Sequence, residues 1–146
     1  MYSTYNRCRS RSLRKNVAAY RAFNELNDSL RNKSDEEQIQ KYEELFKKFP
    51  NYQSIRKALA RKLNEFAWNM VTAAKGTKDY NPETGLKYAR RATELVADLN
   101  YFDTLAEALL ANGQIEESLK LCQEMLKKYP KEKMFSERIN KIQNHK

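Results

Sequence analysis

Apolar residues recur at steps of three and four along most of the chain, which is the spacing of amphipathic helices. The clearest case is Asn100–Pro130, where the apolar positions are Phe102, Leu105, Ala106 and Leu109, and then Ile115, Leu119, Cys122, Met125 and Leu126. Between these two sets, Asn112-Gly113 supplies the left-handed residue that commonly ends a helix. We therefore expect Asn100–Pro130 to form a hairpin of two helices.

Five further helices are predicted from the same periodicity and from helix start and stop signals. They span about 10–32, 36–49, 51–74, 82–97 and 131–144. The first carries a stripe of six apolar residues that we expect to pack on the rest: Leu13, Val17, Tyr20, Phe23, Leu26 and Leu30. Ser34 and Glu37 form a capping box before the second, and Asn81-Pro82 begins the helix at 82–97. We expect residues 1–9, which lack periodicity, to be a flexible basic segment, and 10–146 to be a single domain.

The spacing of large and small residues resembles the tetratricopeptide repeat over about 60–130. The motif reads Phe102-x2-Leu105-Ala106-x2-Leu109, Gly113, Ser118-x3-Cys122-x2-Met125 and Pro130, with a fainter copy in Leu63-x2-Phe66-Ala67-x2-Met70 and Gly85-x3-Ala89-x2-Ala92. The helix ending Phe49-Pro50 also matches Tyr129-Pro130. Three positions depart from the pattern, because Gly85 and Ser118 stand where the family favours alanine and Ala97 stands where it favours proline.

This resemblance implies an all-α fold of about seven helices, stacked as antiparallel hairpins into a superhelix. It also implies a non-catalytic interaction or scaffold module, in which a concave surface holds a peptide or helix of another protein. The partner-binding residues carried over from the family are Lys57, Arg61, Asn64, Trp68, Val71, Thr72, Asn100, Asp103, Glu107 and Leu110. The basic side chains beside Trp68 favour an acidic segment as the partner.

The net charge of +9 is concentrated at the start of the chain. Residues 1–34 hold eight Lys and Arg against Glu25 and Asp28, a net of +6. Such an arm keeps open a nucleic-acid-binding alternative, in which Arg7, Arg9, Arg11, Arg14 and Lys15 neutralise phosphates and Tyr2 and Tyr5 stack on bases. Its composition is also shared with organelle transit peptides. A third alternative is a self-assembling structural repeat fragment.

Candidate chemistry is sparse in the 146 residues. His145 is the single histidine, the two cysteines Cys8 and Cys122 are far apart, and the three glycines form no phosphate-binding loop. We therefore expect no catalytic site, metal site or cofactor, and no enzymatic activity. Cys122 lies on an apolar helical stripe, which favours a reducing, cytoplasmic compartment. No apolar run is long enough for a membrane helix, so we expect no membrane partner.

Overall fold

The computed structural model describes the backbone of residues 2–144 and the side chains of residues 13–144. Over this range the chain forms seven helices and no strand: α1 (Tyr2–Ser29), α2 (Asp35–Lys48), α3 (Gln53–Thr72), α4 (Pro82–Leu95), α5 (Leu99–Ala111), α6 (Ile115–Lys128) and α7 (Lys133–Asn144). The all-α fold of seven helices expected from the sequence is confirmed.

Several helix ends differ from the sequence-based boundaries. α1 begins at Tyr2 rather than near Ser10, so the backbone of most of the segment expected to be flexible is helical. α3 begins at Gln53, two residues beyond the expected cap at Asn51. The start of α4 is as expected, because the side chain of Asn81 accepts a hydrogen bond from the N–H of Thr84 at 3.1 Å. Local capping chemistry thus located the start of α4 correctly, while the absence of periodicity was a poor guide to the start of α1.

The chain divides into two compact units, Met1–Leu59 and Ala60–Lys146, with the division inside α3. Each unit is described separately below. The single domain expected over 10–146 stays a prediction.

In the first unit, Phe23 of α1 packs beside Tyr42 of α2 and Tyr52, with ring centroids 6.4 and 6.3 Å apart. The Tyr42 hydroxyl donates a hydrogen bond to Asn27 Oδ1 at 2.6 Å. At the start of α2, Ser34 Oγ accepts from the Glu37 N–H and the Glu37 carboxylate accepts from the Ser34 N–H, so the expected capping box is present. Aromatic packing and one polar contact therefore join the C-terminal half of α1 to α2.

The N-terminal half of the described α1 stripe does not pack as expected. Leu13, Val17 and Tyr20 are 66%, 47% and 56% exposed, whereas Leu30 is buried. The physical reason is length, because α1 has 28 residues and α2 has 14. A helix half as long covers only part of its neighbour.

In the second unit, residues 60–72 of α3 pack with α4 and α5, and α6 and α7 follow. One core cluster contains Ala67, Val71, Ala89, Leu105, Ala108 and Leu109. A second contains Ala106, Cys122 and Phe135, with Met125 and Ile139 partly buried against it. Leu105 belongs to the first cluster and Ile139 packs against the second, because neighbouring positions of α5 such as Leu105 and Ala106 face different helices.

Gly85 and Ser118 both lie where a helix crosses the one before it. A Cβ at Gly85 would lie 2.6 Å from Val71 Cγ1 and 3.2 Å from the carbonyl oxygen of Ala67, so α3 and α4 approach too closely for alanine. Ser118 is buried, and its hydroxyl donates to the carbonyl of Ala106 at 2.9 Å. Gly85 and Ser118, which both replace the alanine of the motif, thus occupy equivalent positions in two helix crossings. Gly85 has no side chain there, and Ser118 has a hydroxyl that is hydrogen-bonded.

Candidate functional site

Three candidate residues form a stripe on the part of α3 that belongs to the second unit. Arg61, Asn64 and Trp68 are spaced by three and four residues, so they lie on one side of the helix. Trp68 is 40% exposed, which is unusual for the largest apolar side chain. Asn64 is half-buried, and its side-chain oxygen Oδ1 is buried without a hydrogen-bond partner among the described residues. The stripe therefore combines an exposed aromatic ring with an unsatisfied acceptor.

Tyr101 of α5 adjoins this stripe and was missed in the sequence analysis. Burial raises the pKa of its hydroxyl, and the charge of Asp98 adds to the effect, while Arg61 acts in the opposite direction and Glu65 in the same one. The electrostatic influence of Arg61 and Glu65 means that α3 side chains lie near the Tyr101 hydroxyl. We call Arg61, Asn64, Trp68 and Tyr101 the α3–α5 face. The sequence signal for Tyr101 was weak, because it follows Asn100 at the helix start and falls outside the apolar stripe of α5.

The basic charge on this face is partly neutralised. Glu65 lies 3.9 Å from Arg61 and 3.5 Å from Lys62. All three side chains are at least partly exposed, so these pairs are weak and exchangeable. The remaining basic candidate, Lys57, is exposed on the part of α3 that belongs to the first unit.

The expectation that Val71 lies on the partner-binding surface is wrong. Its side chain is 6% exposed and belongs to the core that α3 forms with α4 and α5. The reason is Gly85, because the missing side chain lets α4 close over Val71. Thr72, the next residue, is exposed, and its hydroxyl donates to the carbonyl of Trp68 at 2.7 Å.

Asp103 and Glu107 of α5 are engaged by α7 rather than free for a partner. The Arg138 guanidinium donates to Asp103 Oδ1 at 2.7 Å through Nε, and to the Glu107 carboxylate through Nη1. Burial alone would lower the pKa of Arg138, but the hydrogen bonds and charges of Asp103 and Glu107 outweigh it and raise that pKa. The sequence carried a signal for this cluster, since two carboxylates one turn apart under a covering helix require a cation there.

The two remaining α5 candidates have different settings. Asn100 is exposed in the first turn, where its N–H donates to the side chain of Asp98 at 2.9 Å. Leu110 is half-buried near the end of the helix. The structure thus brings together Arg61, Asn64 and Trp68 with Tyr101, and it places Val71, Asp103 and Glu107 in internal contacts.

The side chain of Cys122 is buried in the second core cluster. Burial raises the pKa of the Cys122 thiol to about 11, so the nucleophilic thiolate is scarce near neutral pH. No group of three metal-ligating side chains occurs among those described. No described helix is both long enough and apolar enough to span a bilayer. His145 and the side chains of Arg7, Arg9, Arg11, Tyr2 and Tyr5 lie outside the described residues.

A hollow of about 400 Å³ lies between α1 and α2 in the first unit. Its lining alternates in charge, with Glu25, Glu44, Lys41 and Lys48 among the residues. Lys41 and Glu44 already form an ion pair at 2.9 Å. The acidic and basic side chains of this hollow balance one another, so it is less suited to a charged ligand than the α3–α5 face.

In comparison with known proteins, the chain matches no family model, no curated protein and no solved structure. The resemblance to tetratricopeptide repeats therefore rests on the spacing of its motifs alone.

Proposed function

We propose that the protein is a non-catalytic interaction module of the tetratricopeptide-repeat type, which holds an extended segment of another protein on the α3–α5 face. The observation that carries the proposal is the unpartnered oxygen of Asn64. A buried acceptor without a donor costs about 1–3 kcal/mol. That oxygen is shielded from water, so the Asn64 side chain would turn outward to accept a backbone N–H of a bound segment. The new hydrogen bond would remove the cost of the unpaired acceptor.

Trp68 supplies the apolar contact for such a segment. It lies one turn from Asn64 on the same side of α3 and is 40% exposed. Partly exposed tryptophans surrounded by polar groups are the typical energetic centres of protein interfaces. Arg61 and the Tyr101 hydroxyl add hydrogen-bond donors, which suit carbonyl or carboxylate oxygens of the segment.

The charge of the face favours a segment with a few acidic residues over a strongly acidic one. Glu65 competes for Arg61, as its distance of 3.9 Å indicates. An acidic side chain of the partner would displace Glu65 at little cost because the existing pair is exposed. The free thiol of Cys122 suits a reducing compartment, and we place the module in the cytoplasm.

The first experiment uses the single tryptophan as a reporter. In the free protein, we expect Trp68 emission to be red-shifted and accessible to acrylamide, because 40% of the residue is exposed. Proteins captured from native lysate on the immobilised chain are identified by mass spectrometry, and their segments are synthesised as peptides. A peptide that occupies the face should protect Trp68 from quenching. Full accessibility in the presence of every saturating peptide would place binding elsewhere.

The second experiment separates binding from folding at Asn64. Asn64→Ala removes the unpartnered acceptor, so we expect the free energy of unfolding to stay unchanged or rise by about 1 kcal/mol while peptide affinity falls. Trp68→Ala should lower the affinity for the same peptide. Asn69→Ala is the matched control, because Asn69 is exposed on the same helix but points away from the stripe. A purely structural role for Asn64 would instead lower stability and leave affinity intact.

A further inference from the structure

The exposed part of α1 has a face that no described residue covers. Leu13, Val17 and Tyr20 are 66%, 47% and 56% exposed, and they stand out among the large apolar side chains described. They lie at steps of four and three residues. At about 100° per residue they form a stripe only about 60° wide.

Such a narrow stripe is the seam of a helix pair rather than the broad apolar side of a helix that lies in a core. In heptad terms, Leu13, Val17 and Tyr20 occupy consecutive d, a and d positions. Arg14 and Arg21 then both occupy e positions, one heptad apart, beside the seam. In coiled coils, e and g positions carry the charges that select the partner helix.

The surface relief agrees with this arrangement. A shallow hollow of about 250 Å³ is lined by Leu13, Arg14, Val17, Ala18 and Arg21. The hollow therefore lies along the seam on the side that carries the two arginines. The small side chain of Ala18 lies between the two arginines, so the hollow combines an apolar floor with a cation at each end.

The charge of α1 favours one type of occupant. Arg14 and Arg21 are exposed and form no ion pair with any described carboxylate, and the first acidic residue of the chain is Glu25. A partner helix with an apolar seam flanked by glutamates or aspartates would pair both arginines. Exposed cations beside an apolar contact contribute to partner selection and association rate more than to raw affinity.

Other occupants fit these residues less well. A second copy of α1 packed antiparallel would bring the e-position arginines of the two copies toward each other. A membrane-surface helix has a broad apolar side, not a stripe of three large residues. Nucleic acid would neutralise the arginines but would leave Leu13 and Val17 without apolar contacts.

We propose that Leu13, Val17 and Tyr20, with Arg14 and Arg21, form a docking surface on α1 for an acidic amphipathic helix of another protein. This surface lies in the first unit, and the proposal stands independently of the α3–α5 face.

The test uses the whole chain and two labelled helical peptides of about three heptads. Both peptides carry leucine at a and d, and one has glutamate and the other lysine at e and g. Fluorescence anisotropy should show binding of the glutamate peptide that weakens with added salt, and at least ~10-fold weaker binding of the lysine peptide. Equal affinity for the two peptides, or no binding of the glutamate peptide, would overturn the proposal.

A charge reversal locates the site. Arg14→Glu with Arg21→Glu should lower the affinity for the glutamate peptide by at least ~10-fold and create affinity for the lysine peptide. Lys127→Glu with Lys131→Glu, two exposed sites in the second unit, makes the same change in net charge and should leave both affinities unchanged. Helix content by circular dichroism should be equal in all variants.

Three parallel measurements address the other occupants. In two of them, vesicles containing phosphatidylserine or single-stranded poly(U) replace the peptide. The third measures the sedimentation of the chain alone. Tighter binding to vesicles or poly(U) that is lost in Arg14→Glu with Arg21→Glu would overturn the proposal, as would a dimer dissolved by Leu13→Ser with Val17→Ser. The supporting result is a monomeric chain that binds the glutamate peptide more tightly than either anionic surface.

Discussion

Arg138 and Asp103, 35 residues apart in the sequence, are joined by a hydrogen bond of 2.7 Å between Nε and Oδ1. The Arg138 side chain is 10% exposed, and it also binds Glu107. Arg138→Met would leave two like charges on α5 partly buried and without their cation. We expect a loss of about 1–3 kcal/mol in the free energy of unfolding, measured by urea titration, since both carboxylates keep some solvent contact.

Arg90 provides a matched control for Arg138. Its ion pair with Glu117 has the same 2.7 Å distance, but the two side chains are 45% and 50% exposed. Arg90→Met should therefore cost less than about 1 kcal/mol. Adding Asp103→Asn and Glu107→Gln to Arg138→Met should restore most of the lost stability. Equal losses for Arg90→Met and Arg138→Met would show that burial does not distinguish the two pairs.

Gly85→Ala should destabilise the second unit although alanine is the better helix former. The new Cβ would lie 2.6 Å from Val71 Cγ1, and overpacking of this kind costs about 1–3 kcal/mol. The gain in helix propensity is about 1 kcal/mol, so a net loss of up to about 2 kcal/mol remains. In a Val71→Ala background the 2.6 Å contact is removed and only the contacts with the Ala67 carbonyl oxygen at 3.2 Å and Met70 Cβ at 3.3 Å remain, so Gly85→Ala should cost less there. Thermal unfolding of the four proteins of this cycle measures the coupling, and additive effects would contradict the close contact.

Leu105→Ala should cost about 2–5 kcal/mol, because it leaves a cavity in the core shared by α3, α4 and α5. Leu105 is 7% exposed, whereas Leu13 is 66% exposed. Leu13→Ala makes the same chemical change on the surface and should shift stability by no more than about 0.5 kcal/mol. Denaturant unfolding of both variants makes the comparison. Similar losses would mean that α1 carries core packing at Leu13.

The capping box at Ser34 makes the stability of α2 depend on pH. The pKa of Glu37 is lowered from its ordinary value of 4.5, first by the backbone hydrogen bond of Ser34 and then by the charge of Lys33. A lowered folded-state pKa means that the stabilisation is present above 4.5 and is lost as the pH falls through the folded value. Glu37→Gln, which keeps a hydrogen-bonding side chain, should therefore lower the melting temperature at neutral pH, with a difference that shrinks on acidification.

Glu36→Gln is the control for this titration. It removes a charge from the same helical turn without touching Ser34. We expect a smaller melting-temperature difference at neutral pH, because it reflects only the interaction with the helix dipole. If the melting-temperature difference for Glu37→Gln persists unchanged at low pH, the stabilisation does not depend on the charge of the Glu37 carboxylate.

The sequence predicted the features that neighbouring residues determine. Asn81 and Glu37 form caps within three residues of their partners, and Gly113 adopts the expected positive φ of 73°. Features that depend on distant residues were not predictable in the same way. Val71 and Trp68 lie on adjoining parts of α3, yet Val71 is buried because Gly85 admits α4, and Trp68 is left 40% exposed.

The same difference between neighbouring and distant residues applies to the candidate site. Arg61, Asn64 and Trp68 share a stripe by helical spacing alone, so the sequence was sufficient to group them. Asp103 and Glu107 were grouped correctly with each other, but the cation that occupies them comes from α7. The unpartnered state of Asn64 is a tertiary property, because it depends on which groups the fold fails to bring within reach.

The alkylation rate of the buried Cys122 thiol can measure how often the second unit opens. Because the side chain is buried and its pKa is about 11, an alkylating reagent must wait until the core around Phe135 opens and the thiol reaches water. The rate at which mass spectrometry finds the Cys122 peptide alkylated therefore reports how often this unit opens under native conditions. That rate is read from a peptide inside the second unit, so it follows this half of the molecule without denaturant and without a signal from the other half.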